Sequence, residues 1–210
     1  MKKLSIFGLM MTCLLASIHC QSPPKCQQEI LSMVMVVDAS GSVGPNDFEL
    51  AKQATIDIID RMNINPNKVH VGYIVYDNKV QPINTLLSTQ QSKTNIVNMI
   101  TNINYWTYAG GTDTAKAIDL SRQMFSTISR PNVPQIAVIF TDGYSNSESA
   151  TKIAADKLKG DGVVVFSVGI TSYVNDRELE YIATDPKTDY YMKIANYNQL
   201  MIEVNRITER

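Results

Sequence analysis

Cysteine is scarce in this chain: Cys13, Cys20 and Cys26 are the only three, and all lie near the N-terminus. A fold stapled by disulfides along its length is thereby excluded. Histidine is scarcer still, with His19 and His70 alone, so no His cluster exists to hold a metal or relay protons. Neither sign of charge is in excess; the formal net charge is −1 over 210 residues, and no global field favours nucleic acid or a membrane surface. The sequence also lacks an N-glycosylation triplet, internal repeats, low-complexity tracts and charge runs, and the polar residues 203–210 read as a solvated helix end.

The start is different in kind. Met1-Lys-Lys-Leu-Ser-Ile-Phe-Gly-Leu-Met-Met-Thr-Cys-Leu-Leu-Ala16 is a basic tip followed by an apolar stretch too short to span a bilayer, the pattern of a secretory signal peptide. We expect residues 1–20 to be removed, residues 21–28 to form a short lead and residues 29–210 to form one domain, a size that buries a substantial core. No later segment reads as a membrane span. If cleavage follows Cys20, Cys26 stands alone in an oxidising compartment and can link two chains into a disulfide-bonded oligomer. If cleavage precedes it, a local Cys20–Cys26 loop is the alternative.

Beyond the lead, apolar runs alternate with amphipathic stretches, the pattern of a parallel α/β sheet. Strands are expected at 30–37, 69–76, 79–86, 135–141, 163–169 and 189–193, and helices at 46–62, 92–103, 113–128, 147–160, 175–183 and 197–208. A single Asn separates Tyr73-Ile-Val-Tyr-Asp77 from Lys79-Val80, which predicts a tight hairpin and one antiparallel edge strand. The expected architecture is therefore a doubly wound, mostly parallel six-stranded sheet with helices on both faces.

The chemistry gathers where strands end. Ile30-Leu-Ser-Met-Val-Met-Val-Val37 runs into Asp38-Ala-Ser-Gly-Ser42, and Gln135-Ile-Ala-Val-Ile-Phe140 runs into Thr141-Asp142-Gly143. Gly110-Gly111-Thr112 opens a helical pattern between them. In an open α/β sheet such strand ends converge on one crevice, bringing together five oxygen-bearing residues: Asp38, Ser40, Ser42, Thr112 and Asp142. Hard divalent cations take clustered oxygens of this kind. Taken alone, the first motif also serves as turn and cap chemistry, and Gly41, Gly110, Gly111 and Gly143 suit any tight turn. Asp113 reads as a helix N-terminal residue, Asp176 and Asp185 as structural, and Asp60 and Asp77 have no evident place beside an ion. Tyr105, Trp106, Tyr108 and Tyr144 flank these loops; Trp106 suits either packing of its loop or anchoring of a partner.

These discontinuous motifs, with Val37-Asp-Ala-Ser-Gly-Ser-Val-Gly-Pro-Asn-Asp-Phe-Glu-Leu50 the longest piece, resemble the von Willebrand factor type A domain over about residues 30–207. The wording is most similar to members found in collagens and matrilins. The resemblance implies a metal-ion-dependent adhesion site in which Ser40, Ser42 and Thr112 bind Mg2+ directly, or Mn2+ or Ca2+, while Asp38 and Asp142 act through bridging waters. An acidic side chain from an extracellular protein, such as collagen or another matrix protein, would then complete the shell, with Tyr105, Trp106, Tyr108 and Tyr144 as a ligand-binding rim. Two departures stand out. No room exists after Thr141-Asp-Gly143 for the extra helix of collagen-binding integrin domains, and no cysteine follows Cys26 to pair across the termini.

An enzyme would need a second constellation, and the sequence offers neither a nucleophile elbow nor a phosphate-binding Gly-rich loop after the first strand. The expected function is a secreted, non-enzymatic extracellular matrix adhesion module. The alternative is a structural matrix component whose ion is only stabilising.

Overall fold

In the computed structural model the described residues are 30–141, 144–170, 174–194, 196 and 198–199. The signal peptide, the lead, all three cysteines and most of the helix expected at 197–208 lie outside them.

Six strands, β1 (Leu31–Asp38), β2 (Val69–Tyr76), β3 (Val80–Asn84), β4 (Gln135–Thr141), β5 (Val164–Ile170) and β6 (Tyr191–Ile194), form one sheet in the order β3-β2-β1-β4-β5-β6. All pairings are parallel except β2 with β3, the expected antiparallel edge. Pro82 is accommodated in β3 because an edge strand has one unpaired side, and the register slips between Tyr73 and Ile74 opposite it. The helices are α1 (Gly44–Asp60), α2 (Lys93–Thr101), α3 (Thr114–Ser126), α4 (Glu148–Gly160), α5 (Asp176–Ile182) and the single turn α6 (Lys187–Tyr190).

Every residue of β1 and β2 is buried, which is why they read as mostly apolar runs, with Ser32, His70 and the terminal Asp38 as buried polar exceptions. The two-residue period of β1 sends Met33, Met35 and Val37 into a cluster with Phe48, Ala51 and Ile59 of α1 and Ile96 and Ile100 of α2. It sends Val34 and Val36 into another with Ala117 and Ile118 of α3 and Ala154 and Leu158 of α4. Full burial of side chains of this size contributes about 1.5–3 kcal/mol each, so the central strand fixes both helical layers at once.

Several element ends differ from expectation by one or two residues, and three of these have a structural reason. The strand placed at 189–193 begins only at Tyr191, because the chain first makes the turn of α6, which starts at Lys187 after an extended Pro186 N-cap. The strand at 79–86 stops at Asn84, whose side-chain amide donates to Val71 O at 2.5 Å and Thr85 O at 3.1 Å and so turns the chain out of the ladder. Helix 92–103 ends at Thr101; buried Lys52 of α1 donates to Thr101 O at 3.2 Å and Ile103 O at 3.0 Å, holding the last carbonyls in a helix-exit geometry.

β1 is followed by β2 on one side and, later, by β4 on the other. The sheet therefore changes winding direction at the C-terminal ends of β1 and β4, where a doubly wound fold opens its crevice.

Candidate metal centre

Asp38 is the last residue of β1 and is fully buried. Its Oδ1 accepts the Ser40 N–H at 2.8 Å; its Oδ2 accepts the Thr141 hydroxyl at 2.9 Å and the Tyr76 hydroxyl at 3.4 Å. The carboxylate is thus held by its own loop and by both flanking strands. Burial pushes its pKa up to about 6, against the opposing pull of the bonds from Ser40, Thr141 and Tyr76. Tyr76 is itself pushed well above the ordinary tyrosine range, by burial first and then by the Asp38 charge.

The loop after Asp38 presents hydroxyls. Ser40 is buried and Ser42 exposed, and their Oγ atoms lie 3.2 Å apart. That spacing fits an ion, since adjacent oxygens around Mg2+ at 2.0–2.1 Å are roughly 3 Å from one another. Gly41 donates its N–H to Gly110 O at 2.8 Å, and Ala109 donates to Ala39 O at 3.0 Å, so the first and second loops are joined backbone to backbone. A Cβ on Gly41 would meet Ala109 O at 3.1 Å, tighter than ordinary contact, so close approach of the two loops favours glycine here. Ala109 takes a φ of 69°, the left-handed region, to make that junction.

Thr112 follows, buried at 6% exposure. Its N–H donates to Asn146 Oδ1 at 3.1 Å and its carbonyl accepts the Asn146 N–H at 2.8 Å. Asp113 caps α3 by accepting the Lys116 N–H at 3.3 Å. Asp142, the fifth residue of the set, lies outside the described residues; its neighbour Thr141 reaches Asp38. The geometry brings Asp38, Ser40 and Ser42 together in one loop and links Thr112 to that loop through Gly110.

Among the described residues no three His, Cys, Asp or Glu side chains group as a metal-binding cluster. The donors here are hydroxyls and a buried carboxylate, an all-oxygen set that suits hard cations rather than soft ones.

Three contributors escape the sequence patterns. Asp77 is buried at the end of β2, and its Oδ2 accepts the Gly110 N–H at 3.0 Å while Oδ1 accepts the Lys79 N–H at 2.6 Å. Asn146 bridges to Thr112, as described. Glu178 of α5 is buried and accepts the Ser145 N–H at 3.3 Å, bracing the loop after β4. Asp77 carried a readable signal: it ends the strand beside β1 and so belongs to the same row of strand ends.

The aromatic rim requires a correction. Tyr105 is only 5% exposed, packs on Phe48 with ring centroids 5.7 Å apart, and donates its hydroxyl to Ser40 O at 3.2 Å. It buttresses the first loop from beneath. Trp106 stands 74% exposed, edge-on to Tyr105, with its backbone N–H donated to Asn104 Oδ1 at 3.1 Å. Tyr108 is half-buried and donates to Gln81 Oε1 at 2.9 Å, and Tyr144 is exposed.

The von Willebrand factor type A domain model matches residues 32–206, nearly the whole of this architecture. The chain belongs to that family. VWA domain relatives include the collagen alpha-4(VI) chain of Mus musculus, 31% identical over 86% of this chain and 8% of the relative. Matrilin-1 of Gallus gallus is 31% identical over 81% of this chain and 34% of its own length. Human vitrin is 29% identical over 83% of this chain and 25% of its own. The chain thus spans no more than about a third of the length of these extracellular matrix relatives. Among solved VWA folds, proximal thread matrix protein 1 from the mussel byssus, with a zinc-occupied metal-ion-dependent adhesion site, aligns with a TM-score of 0.75 at 22% identity, over 87% of this chain and 46% of that one. The manganese-loaded TRAP protein of Plasmodium vivax aligns at 0.69 and 19%, over 86% and 74%. At these identities the likeness establishes the fold.

Proposed function

We propose that this VWA domain is a secreted extracellular matrix adhesion module that engages a protein ligand through a divalent cation, Mg2+ foremost. The observation that supports the reading is the backbone joining of the Ser40–Ser42 loop, which starts at the buried Asp38 carboxylate, to the Gly110-Gly111-Thr112 segment, so that the three hydroxyl-bearing residues sit on two linked loops, the proposed cup. A cation bound there supplies a strongly Lewis-acidic position, because its direct protein ligands are neutral, and a Glu or Asp carboxylate of a matrix partner such as collagen fits it.

The chain's residues have distinct parts in this reading. Ser40, Ser42 and Thr112 contribute hydroxyl oxygens. Asp38 and Asp142 hold water molecules and supply negative charge one layer out. Trp106, Tyr108 and Tyr144 offer aromatic surface beside the cup, whereas Tyr105 keeps the first loop in place. We read the domain as non-catalytic: both ring nitrogens of buried His70 face backbone carbonyls, Leu86 O at 2.9 Å and Pro66 O at 2.8 Å, at the opposite end of β2 from the cup. Residues 1–20 as a cleaved leader, residues 29–210 as a single domain and Cys26 as a link to a second chain belong to the same proposal.

A second reading, a matrix assembly block that keeps the ion only for stability, is favoured by the burial of Asp38, whose charge a cation would compensate. Calorimetric titration with Mg2+, Mn2+ and Ca2+, repeated on Asp38→Ala and Thr112→Ala, tests the site; equal affinity in all three proteins refutes it. Binding to immobilised matrix protein with and without EDTA separates the readings: ligand binding lost on chelation supports adhesion, and binding that survives while the melting temperature falls supports the second.

A further inference from the structure

The Gly110-Gly111-Thr112 segment is held from the side away from the first loop by three residues that none of the recognised motifs contains. Asp77 accepts the Gly110 N–H, and its carbonyl accepts the Asp113 N–H at 2.9 Å. Asn146 makes its reciprocal pair with Thr112 through side-chain oxygen and backbone N–H. The remaining group of Asn146, its Nδ2, donates to Asn78 Oδ1 at 3.0 Å. Asn78 sits in the β2–β3 hairpin and Asn146 in the loop after β4, so the amide pair ties together two loops from opposite sides of β1.

The pair passes directly over Gly111. A Cβ there would lie 2.6 Å from Asn78 Oδ1 and 2.9 Å from Asn146 Oδ1, and a Cβ on Gly110 would lie 2.7 Å from Asp77 Oδ2. The double glycine is therefore explained by the clamp that covers it.

We propose that Asp77, Asn78 and Asn146 are positioning residues that fix Thr112 for the cation, and that the Asn78–Asn146 bridge sets the affinity of the site. The inference rests on the metal-binding reading above. Thr112 N–H and C=O are both engaged by Asn146, so the orientation of its side chain is inherited from that amide. Asn146 is in turn oriented by Asn78, since an amide free to flip would present its NH2 to the Thr112 N–H. Residues that orient metal ligands typically govern affinity by 10–100-fold. Asn78 and Asn146 are themselves exposed, so the bridge adds little to the fold.

The test is calorimetric titration of the full chain, freed of its leader, with MgCl2 and MnCl2, together with melting of the ion-free protein in EDTA. Asn146→Ala is expected to lose at least tenfold in affinity and Asn78→Ala a smaller amount, with the double variant no weaker than Asn146→Ala alone, because the two act as one bridge. Ion-free melting temperatures should stay within about 2 °C of the parent, matching the small worth of exposed hydrogen bonds. If the parent binds and Asn146→Ala binds within threefold of it, the clamp is overturned and the metal site stands. Losses that add in the double variant, or ion-free melting that collapses in step with affinity, also overturn it. A parent that binds neither ion overturns the metal site and the clamp together.

Discussion

Replacing Asp38 with Asn is expected to stabilise the ion-free domain. In the folded chain the Asp38 carboxyl is pushed from 3.8 up to about 6 by burial, so ionising it inside the protein costs about 3 kcal/mol more than ionising it in the unfolded chain. The sign follows from linkage. A carboxyl whose folded pKa is raised contributes stability below its unfolded value near 4, and that contribution is lost as pH rises through about 6. Asparagine keeps the shape without the charge. Its Oδ1 still accepts the Ser40 N–H, and the Thr141 and Tyr76 hydroxyls can turn to accept from Nδ2, because each is donor and acceptor alike. The variant should therefore match the parent near pH 4 and exceed it by up to about 3 kcal/mol at pH 8, or very roughly 6–12 °C in melting temperature for a domain of this size. Urea or thermal denaturation of both proteins in EDTA across this range measures the difference directly, and other titrating groups cancel between the two curves. In excess Mg2+ the order should reverse, since only the parent gains from binding. An Asn variant less stable than the parent in EDTA at pH 8, or a gap that shrinks as pH rises, would refute the view that Asp38 is a costly buried charge awaiting a cation.

Three further outcomes are expected. Ala109→Gly relieves a φ of 69° and should raise stability by up to about 1 kcal/mol, read as a higher denaturation midpoint with unchanged Mg2+ affinity. Gly169→Val places a side chain against Leu179 and Val174 where β5 meets α5, and should cost about 1–3 kcal/mol in urea unfolding through overpacking. Trp106→Ala removes the most exposed aromatic beside the cup; cation affinity should stay within twofold in calorimetry while binding to a matrix ligand weakens at least tenfold in a surface-capture assay.

The sheet was legible in the sequence because its central strands are buried on both faces and so leave predominantly apolar runs, and because one Asn between Asp77 and Lys79 leaves space only for a hairpin. Element ends were less legible: nothing local announces that Lys52, far away in sequence, will hold the carbonyls at the end of α2. The same division runs through the candidate site. Residues at strand ends could be assembled by topology alone, which reaches Asp38 and Ser40 at the end of β1 and the Thr141-Asp142 pair at the end of β4, although topology does not announce the Thr141 hydroxyl bond to Asp38. Of the residues that act by orienting a backbone, Asp77 was readable only from its place at the end of β2, whereas Asn78 and Asn146 carry no periodicity and resemble ordinary turn polars. Tyr105 and Trp106 mark the limit of pattern reading: they are adjacent in one 3-10 turn, yet the turn sends one ring onto Phe48 and the other into solvent.

The burial of Asp38 also bears on how the two functional readings can be told apart. A carboxylate held at the base of neutral hydroxyls gains from any cation placed over it, whether or not a partner ever arrives, so ion-dependent melting is expected under both adhesion and structural roles. Stability alone therefore does not discriminate. What would differ is the open side of the ion: were its direct ligands the neutral hydroxyls proposed above, with the carboxylates one layer out, a partner carboxylate would gain more from its charge than water does, whereas a purely structural ion needs no such gain. A soluble acetate or a Glu-bearing peptide competing with the matrix ligand, at constant cation occupancy and constant melting temperature, isolates this gain. Competition under those conditions requires the adhesive role, and its absence with binding otherwise intact would leave the ion as a clasp between loops.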